Sequence, residues 1–148
     1  QDFGVAPDFV EIVQGGHTPV AYVFITAGSG ARSIIYERNE LPKMEINAQL
    51  KKLVRQAEVV LLDPEVTYLG GTIKNIAGSK VNVIYDCERW RPGIEDIMET
   101  ADYFIPSSEF LAAAELALNG LAFEQKIMQL NRMVAGQLIV THGAKGAY

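Results

Sequence analysis

Val59-Val60-Leu61-Leu62, closed by Asp63-Pro64, is followed by Val66, Leu69, Ile73, Ile76 and Ala77 at helical spacing, then Gly78 and Val81-Asn82-Val83-Ile84-Tyr85. A four-residue apolar run bounded by turn residues reads as a short buried strand, and the 3.6-residue spacing after it as a helix. Gly70-Gly71 weakens that helix by about 1 kcal/mol per glycine. Gly78 suits its end, because glycine takes the backbone conformation that closes a helix at no steric cost. Strand, helix and strand in succession describe a parallel pair joined by a crossover.

The same alternation continues outward. Downstream, Ile94 to Ala101 reads as a short helix, Tyr103-Phe104-Ile105 as a strand and Ser107 to Leu118 as an alanine-rich helix. Phe123, Ile127, Leu130, Met133 and Val134 form a last helical stripe before a strand at Gln137-Leu138-Ile139-Val140-Thr141. Upstream, Ile46, Leu50, Leu53, Val54 and Ala57 share one helix face. These repeats predict an α/β fold with a mainly parallel sheet covered on both faces. Thr18 to Thr26 and Arg32 to Glu37 break the pattern: two β-branched and aromatic runs flank Ala27-Gly28-Ser29-Gly30-Ala31, which predicts a small antiparallel hairpin.

The chain has 148 residues, 49% of them hydrophobic and 21% charged, which fits one folded domain and excludes a disordered or low-complexity chain. Its net charge of −5 offers no broad cationic surface for phosphate backbones, so a nucleic-acid partner is not expected. No apolar run is long enough to span a membrane, and the first residues lack a basic start followed by an apolar stretch, so neither a membrane span nor a signal peptide is expected. A cytoplasmic location follows as the expectation. Cys87 is the single cysteine, which forbids an internal disulfide, and with His17 and His142 as the two histidines a structural zinc site is not expected.

In open parallel sheets ligands gather beyond the carboxyl ends of the strands. The residues to inspect are therefore Asp63, Asp86, Pro106-Ser107-Ser108-Glu109 and Thr141-His142-Gly143-Ala144-Lys145-Gly146. Asp63 and Asp86 have two readings: an acid after a strand holds a substrate hydroxyl or hydrated metal, or it caps the next helix. Thr141-x-Gly143-x-x-Gly146 supplies a hydroxyl and two positions without side chains where a nucleotide would approach the backbone closely; a plain glycine turn is the alternative. Lys145 adds a positive charge nearby.

Other chemistries fail on their motifs. No Gly-x-x-x-x-Gly-Lys-Ser/Thr loop occurs, and Gly28-Ser29-Gly30-Ala31-Arg32-Ser33 lacks the third glycine of the dinucleotide fingerprint and leads into a strand. Cys87 lies between Asp86 and Glu88, which disfavours a thiolate. His17 and His142 have no serine or cysteine in a nucleophile-elbow context.

Three segments, in order, resemble the ribokinase-like (PfkB) carbohydrate kinase family. Gly16-His-Thr-Pro-Val-Ala-Tyr-Val-Phe-Ile-Thr-Ala-Gly-Ser-Gly-Ala-Arg32 is similar to the family's lid strands. Ala101-Asp-Tyr-Phe-Ile-Pro-Ser-Ser-Glu-Phe110 stands where the family has Ala-Asp, a strand and Asn-x-x-Glu. Leu138-Ile-Val-Thr-His-Gly-Ala-Lys-Gly-Ala147 resembles its Thr-x-Gly-x-x-Gly nucleotide segment. The resemblance spans nearly the whole chain and implies a three-layer ribokinase-like fold, with residues 1–40 as a lid-like β segment and 41–148 as part of the α/β core. It implies ATP-dependent transfer of the γ-phosphoryl group to a hydroxyl of a sugar or related small molecule, with Mg2+ on the phosphates. By the same resemblance Ser107, Thr141, Gly143 and Gly146 would line the nucleotide, and the hairpin would close over the sugar and pair with a second protomer. Asp63 is kept as a candidate substrate contact.

Departures from the family pattern refine this. With Pro106 aligned, Ser107 replaces the usual Asn and Phe110 the usual Glu, leaving Glu109 one position early as the candidate metal-linked residue. Ketohexokinase-like branches relax the same motif, so such a branch is indicated. The chain is also about half the family's usual length; it lacks the Gly-Gly sugar segment and the Gly-Ala-Gly-Asp stretch that carries the catalytic base. It is therefore expected to be the central portion of a kinase, inactive alone, with no catalytic residue of its own. The alternative is a noncatalytic α/β nucleotide-binding or interaction module.

Overall fold

The computed structural model describes residues 3, 4, 6–37 and 41–148, so the segment boundary expected at residue 40 falls outside the described residues. The chain divides into two compact units, Gln1–Glu45 and Ile46–Tyr148.

In the first unit, β1 (Val20–Ile25) and β2 (Arg32–Glu37) pair antiparallel, with Val20 opposite Glu37 and Ile25 opposite Arg32. The connecting turn is closed by Thr26 N–H to Ala31 O (2.8 Å) and Gly30 N–H to Thr26 O (3.1 Å), with Gly28 and Gly30 at positive φ. Cross-strand partners share a face. One face therefore carries Val20, Tyr22, Phe24 and Ile35, and the other Val23, Ile25, Ile34 and Tyr36; all are exposed. The ribbon is apolar on both sides.

The second unit holds a four-stranded parallel sheet in the order β3 (Val59–Leu62), β4 (Asn82–Cys87), β5 (Tyr103–Pro106), β6 (Gln137–Leu138). Its helices are α1 (Ala48–Gln56), α2 (Gly70–Ala77), α3 (Ile94–Thr100) and α4 (Phe123–Met133). Asn47 starts α1, its side-chain oxygen accepting the Leu50 amide at 2.8 Å. Gly78, at φ 66°, ends α2 and donates its amide to Lys74 O.

Registers Val60 with Val83, Leu62 with Tyr85, Tyr85 with Phe104 and Cys87 with Pro106 place these residues on one face. That face is buried beneath the helices, joined by Ile73, Ile94, Ile97, Phe110, Leu130 and Val140 in a single core. Tyr85 stacks on Phe104, and Phe104 meets Phe110 edge to face. Within residues 46–148 the opposite face stays open: Val59 is 50% and Leu61 68% exposed. The expected cover on both faces is thus supplied by these residues on one face. Parallel strands taken in sequence order, joined by crossovers of one hand, put every connection on the same side.

Three further expectations change in detail. The stripe from Val66 begins as a 3-10 turn, Pro64–Leu69, because Pro64 follows the capping Asp63 and Val66 leaves helical geometry. The alanine-rich segment after Pro106 is not an α-helix but two 3-10 turns, Ser108–Ala112 and Ala114–Leu116, ended by Ala117 at φ 52°. Phe110, Leu111, Leu116 and Leu118 are each drawn into the core, and a spacing of one, five and two residues does not fit one helix face. The last strand has regular pairing only at Gln137–Leu138, although Ile139 N–H still donates to Phe104 O (3.0 Å) and Thr141 N–H to Pro106 O (2.9 Å). Among the described residues no helix is long and apolar enough to cross a membrane.

Candidate functional site

The carboxyl ends of β3 to β6 present Asp63, Asp86, Ser107 and Thr141 in that order along one sheet edge. Strands about 4.8 Å apart put the ends of β3 and β6 on the order of 14 Å from each other. Asp63 is therefore well separated from the glycine loop, whereas Ser107 and Thr141 are neighbours.

Ser107 and Thr141 form a parallel bridge; Ser108 N–H donates to Thr141 O at 2.7 Å, and Thr141 N–H to Pro106 O at 2.9 Å. The loop beyond Thr141 closes on itself: His142 N–H donates to Gly146 O (2.7 Å), Lys145 N–H to His142 O (3.0 Å) and Gly146 N–H to Gly143 O (3.1 Å). Gly143 and Gly146 sit at φ 51° and 90°, and a Cβ built on either meets nothing within 4 Å. The loop thus exposes backbone beside open space, the arrangement in which a phosphate or ribose approaches closely. His142 anchors it from behind, its ring centroid 4.4 Å from that of Phe123 at the start of α4 and 5.9 Å from that of Tyr148.

Glu109 lies in the first turn of the 3-10 helix after Ser107, exposed and one residue beyond the Ser108–Thr141 contact. Among the described residues no three His, Cys, Asp or Glu side chains cluster as a metal cage. A nucleotide-borne Mg2+ needs no such cage, because phosphates and water supply most of its ligands and one or two carboxylates suffice. Glu109 fits that limited role.

Asp63 caps the 3-10 turn, its Oδ1 accepting the Glu65 amide at 2.7 Å. Its Oδ1 is thus committed to the turn, and the side chain is exposed. Behind it, the Thr67 hydroxyl donates to Pro64 O (2.6 Å) and accepts from the Tyr85 hydroxyl (2.7 Å). Burial pushes the Tyr85 hydroxyl up to about 12. Burial, helped by the Asp86 charge, pushes the Cys87 thiol up to about 12, so Cys87 is a buried, unreactive filler.

Sequence reasoning passed over two residues at this edge. Arg91, after β4, reaches Glu65, after β3, with Nη2 3.1 Å from Oε1. The signal was available, since both follow the carboxyl end of a strand, but charged loop residues read by default as solvated.

The sequence matches the pfkB family carbohydrate kinases over residues 1–148. No curated protein matches it in sequence. The ribokinase of Giardia lamblia superposes with a TM-score of 0.65 at 15% identity, over 91% of this chain and 44% of its own. The Arabidopsis thaliana ribokinase complexed with ribose and ATP gives a TM-score of 0.62 at 21% identity, over 90% and 45%. The Xylella fastidiosa fructokinase gives 0.60 at 21% identity, over 91% and 49%. The four-stranded parallel sheet and two-stranded hairpin thus match the ribokinase-like fold, and this chain spans less than half the length of each of these proteins.

Proposed function

Because the chain belongs to the pfkB family of carbohydrate kinases, we propose that it forms the nucleotide-facing part of an enzyme that transfers the γ-phosphoryl group of ATP to a hydroxyl of a sugar or related small molecule. The observation that carries this reading is the Ser107–Thr141 bridge, which sets an open glycine loop beside the end of β5. Ser107, Thr141, Gly143 and Gly146 line the nucleotide: the glycines, having no side chain, let it approach the backbone, and the hydroxyls of Ser107 and Thr141 contact it. Glu109 would help hold Mg2+, and the ion would supply charge neutralisation at the phosphates. Asp63 contacts the sugar through its exposed side chain. No residue here is assigned as catalytic base. The relaxed motif at Ser107 and Phe110 favours a ketohexokinase-like branch.

The hairpin fits a lid that excludes water during transfer. Two apolar faces need two covers, and we assign one to the sugar side and the other to a second protomer. A cytoplasmic setting, where ATP is abundant, suits this chemistry.

Calorimetric titration of ATP with Mg2+ tests the assignment. The reading expects saturable binding that Gly143→Ala and Gly146→Ala each weaken at least tenfold, because a side chain at these positive-φ positions strains the loop and enters the space beside it, with circular dichroism checking that the chain stays folded. Binding unchanged by both substitutions refutes the nucleotide assignment.

A further inference from the structure

The guanidinium of Arg91 is held between two loops at the ligand-facing end of the sheet, and its hydrogen bonding is unfinished. Its backbone is fixed by Ile94 N–H donating to Arg91 O (3.1 Å) and by Gly93 at φ 88°, the entry to α3. The side chain is 22% exposed; Nη2 meets Glu65 Oε1 at 3.1 Å, while Nε is buried and has no partner. A buried N–H without an acceptor is costly, so native structures that keep one reserve it for a water or a ligand.

Nε and the adjacent Nη2 form the side-on edge of the guanidinium, whose spacing matches the two oxygens of a carboxylate or phosphate. Glu65 occupies half of that edge, and its own side chain is 72% exposed. A glutamate this exposed gains little from the pair and is easily displaced. Of the other carboxylates nearby, Asp63 commits one oxygen to the Glu65 amide, Glu88 pairs with Arg89, and Asp86 points to the opposite sheet face from Tyr85 and Cys87, the two groups that feel the Arg91 charge.

We infer that the Nε–Nη2 edge of Arg91 is an oxyanion site for the acceptor substrate, with Glu65 as a stand-in that the substrate's anionic group displaces. This deepens the kinase reading and rests on it for the word acceptor: the substrate class becomes acidic sugars, carrying a carboxylate or a phosphate in addition to the hydroxyl that is phosphorylated.

The test is calorimetry on the full-length gene product without ATP, using D-gluconate, inorganic phosphate and D-glucose as probes, with the wild type, Arg91→Gln and Glu65→Gln. The inference expects gluconate or phosphate to bind and glucose to bind at least tenfold more weakly; which anion binds separates a carboxylate from a phosphate substrate. Arg91→Gln should lose anion binding at least tenfold. Glu65→Gln should tighten it several-fold, since the internal competitor is gone, and a merely structural Arg91–Glu65 pair would not produce that sign. Equal binding of glucose and the anions overturns the inference, as does weakened or unchanged anion binding in Glu65→Gln, even if Arg91→Gln fails to fold. Because ATP is left out, absence of phosphoryl transfer would sink the kinase reading without touching this result.

Discussion

The Lys74 ammonium lies 2.8 and 2.6 Å from the two carboxylate oxygens of Asp102, and the nearer of these, Oδ2, also accepts the Val83 amide at 2.7 Å. One carboxylate thereby ties α2 to β4 and to the start of β5, at the end of the sheet away from the candidate site. Asp102→Ala removes the acceptor for both donors and should cost about 2–3 kcal/mol, the range for hydrogen bonds to a charged group with a partner left behind. Chemical denaturation checks it.

The same carboxyl has a pH signature. Partial burial pushes its pKa up, but the bonds from Lys74 and Val83 outweigh that, so the folded value lies below the ordinary 3.8. A lowered folded pKa contributes stability that is present above the unfolded pKa and is lost as pH falls through the folded one. Denaturation midpoints should therefore drop below about pH 4. Asp102→Asn should flatten that acid limb, and an unchanged limb would refute the assignment.

At the alkaline end the sign is set by Cys87 and Tyr85, whose pKa values rise from 9.0 and 10.0 to about 12 in the folded chain. Their contribution is complete below the unfolded values and is lost as pH rises through the folded ones. Stability should decline from about pH 9 toward 12, and Cys87→Ala should delay the onset by about one unit. Iodoacetamide at pH 8 should leave native Cys87 unmodified and label it once denaturant unfolds the chain.

Two glycines are set by packing. A Cβ on Gly136 would overlap the Ala101 and Asp102 carbonyl oxygens, and one on Gly70 would overlap the Ile97 side chain. Backbone cannot retreat as a side chain can. Gly136→Ala should therefore destabilise by about 3 kcal/mol or more, whereas Gly70→Ala should cost less in an Ile97→Ala background than in the wild type. A double-mutant cycle measures the second effect.

The strands and most helices were legible because their apolar residues follow one period each: Val59 to Leu62 needs only its bounds, and Ile46, Leu50 and Val54 fall on one face. The segment after Pro106 was not, because alanine raises helix propensity whatever the tertiary anchors require, and Phe110, Leu111 and Leu116 hold it in 3-10 turns. Thr141, Gly143 and Gly146 marked a glycine turn after the last strand, and the structure places one there, with both glycines at positive φ. The Arg91–Glu65 pair joins loops 26 residues apart in sequence, and only the strand order brings them together.

The most direct test of the central claim is a coupled ATP-consumption assay on the natural gene product, verified by intact mass, against neutral and acidic sugars. The account predicts ATP consumption that depends on one sugar and on Mg2+ and falls at least tenfold in Gly146→Ala. A folded product that binds ATP and consumes none with any sugar would contradict it and leave a noncatalytic nucleotide-binding module as the answer.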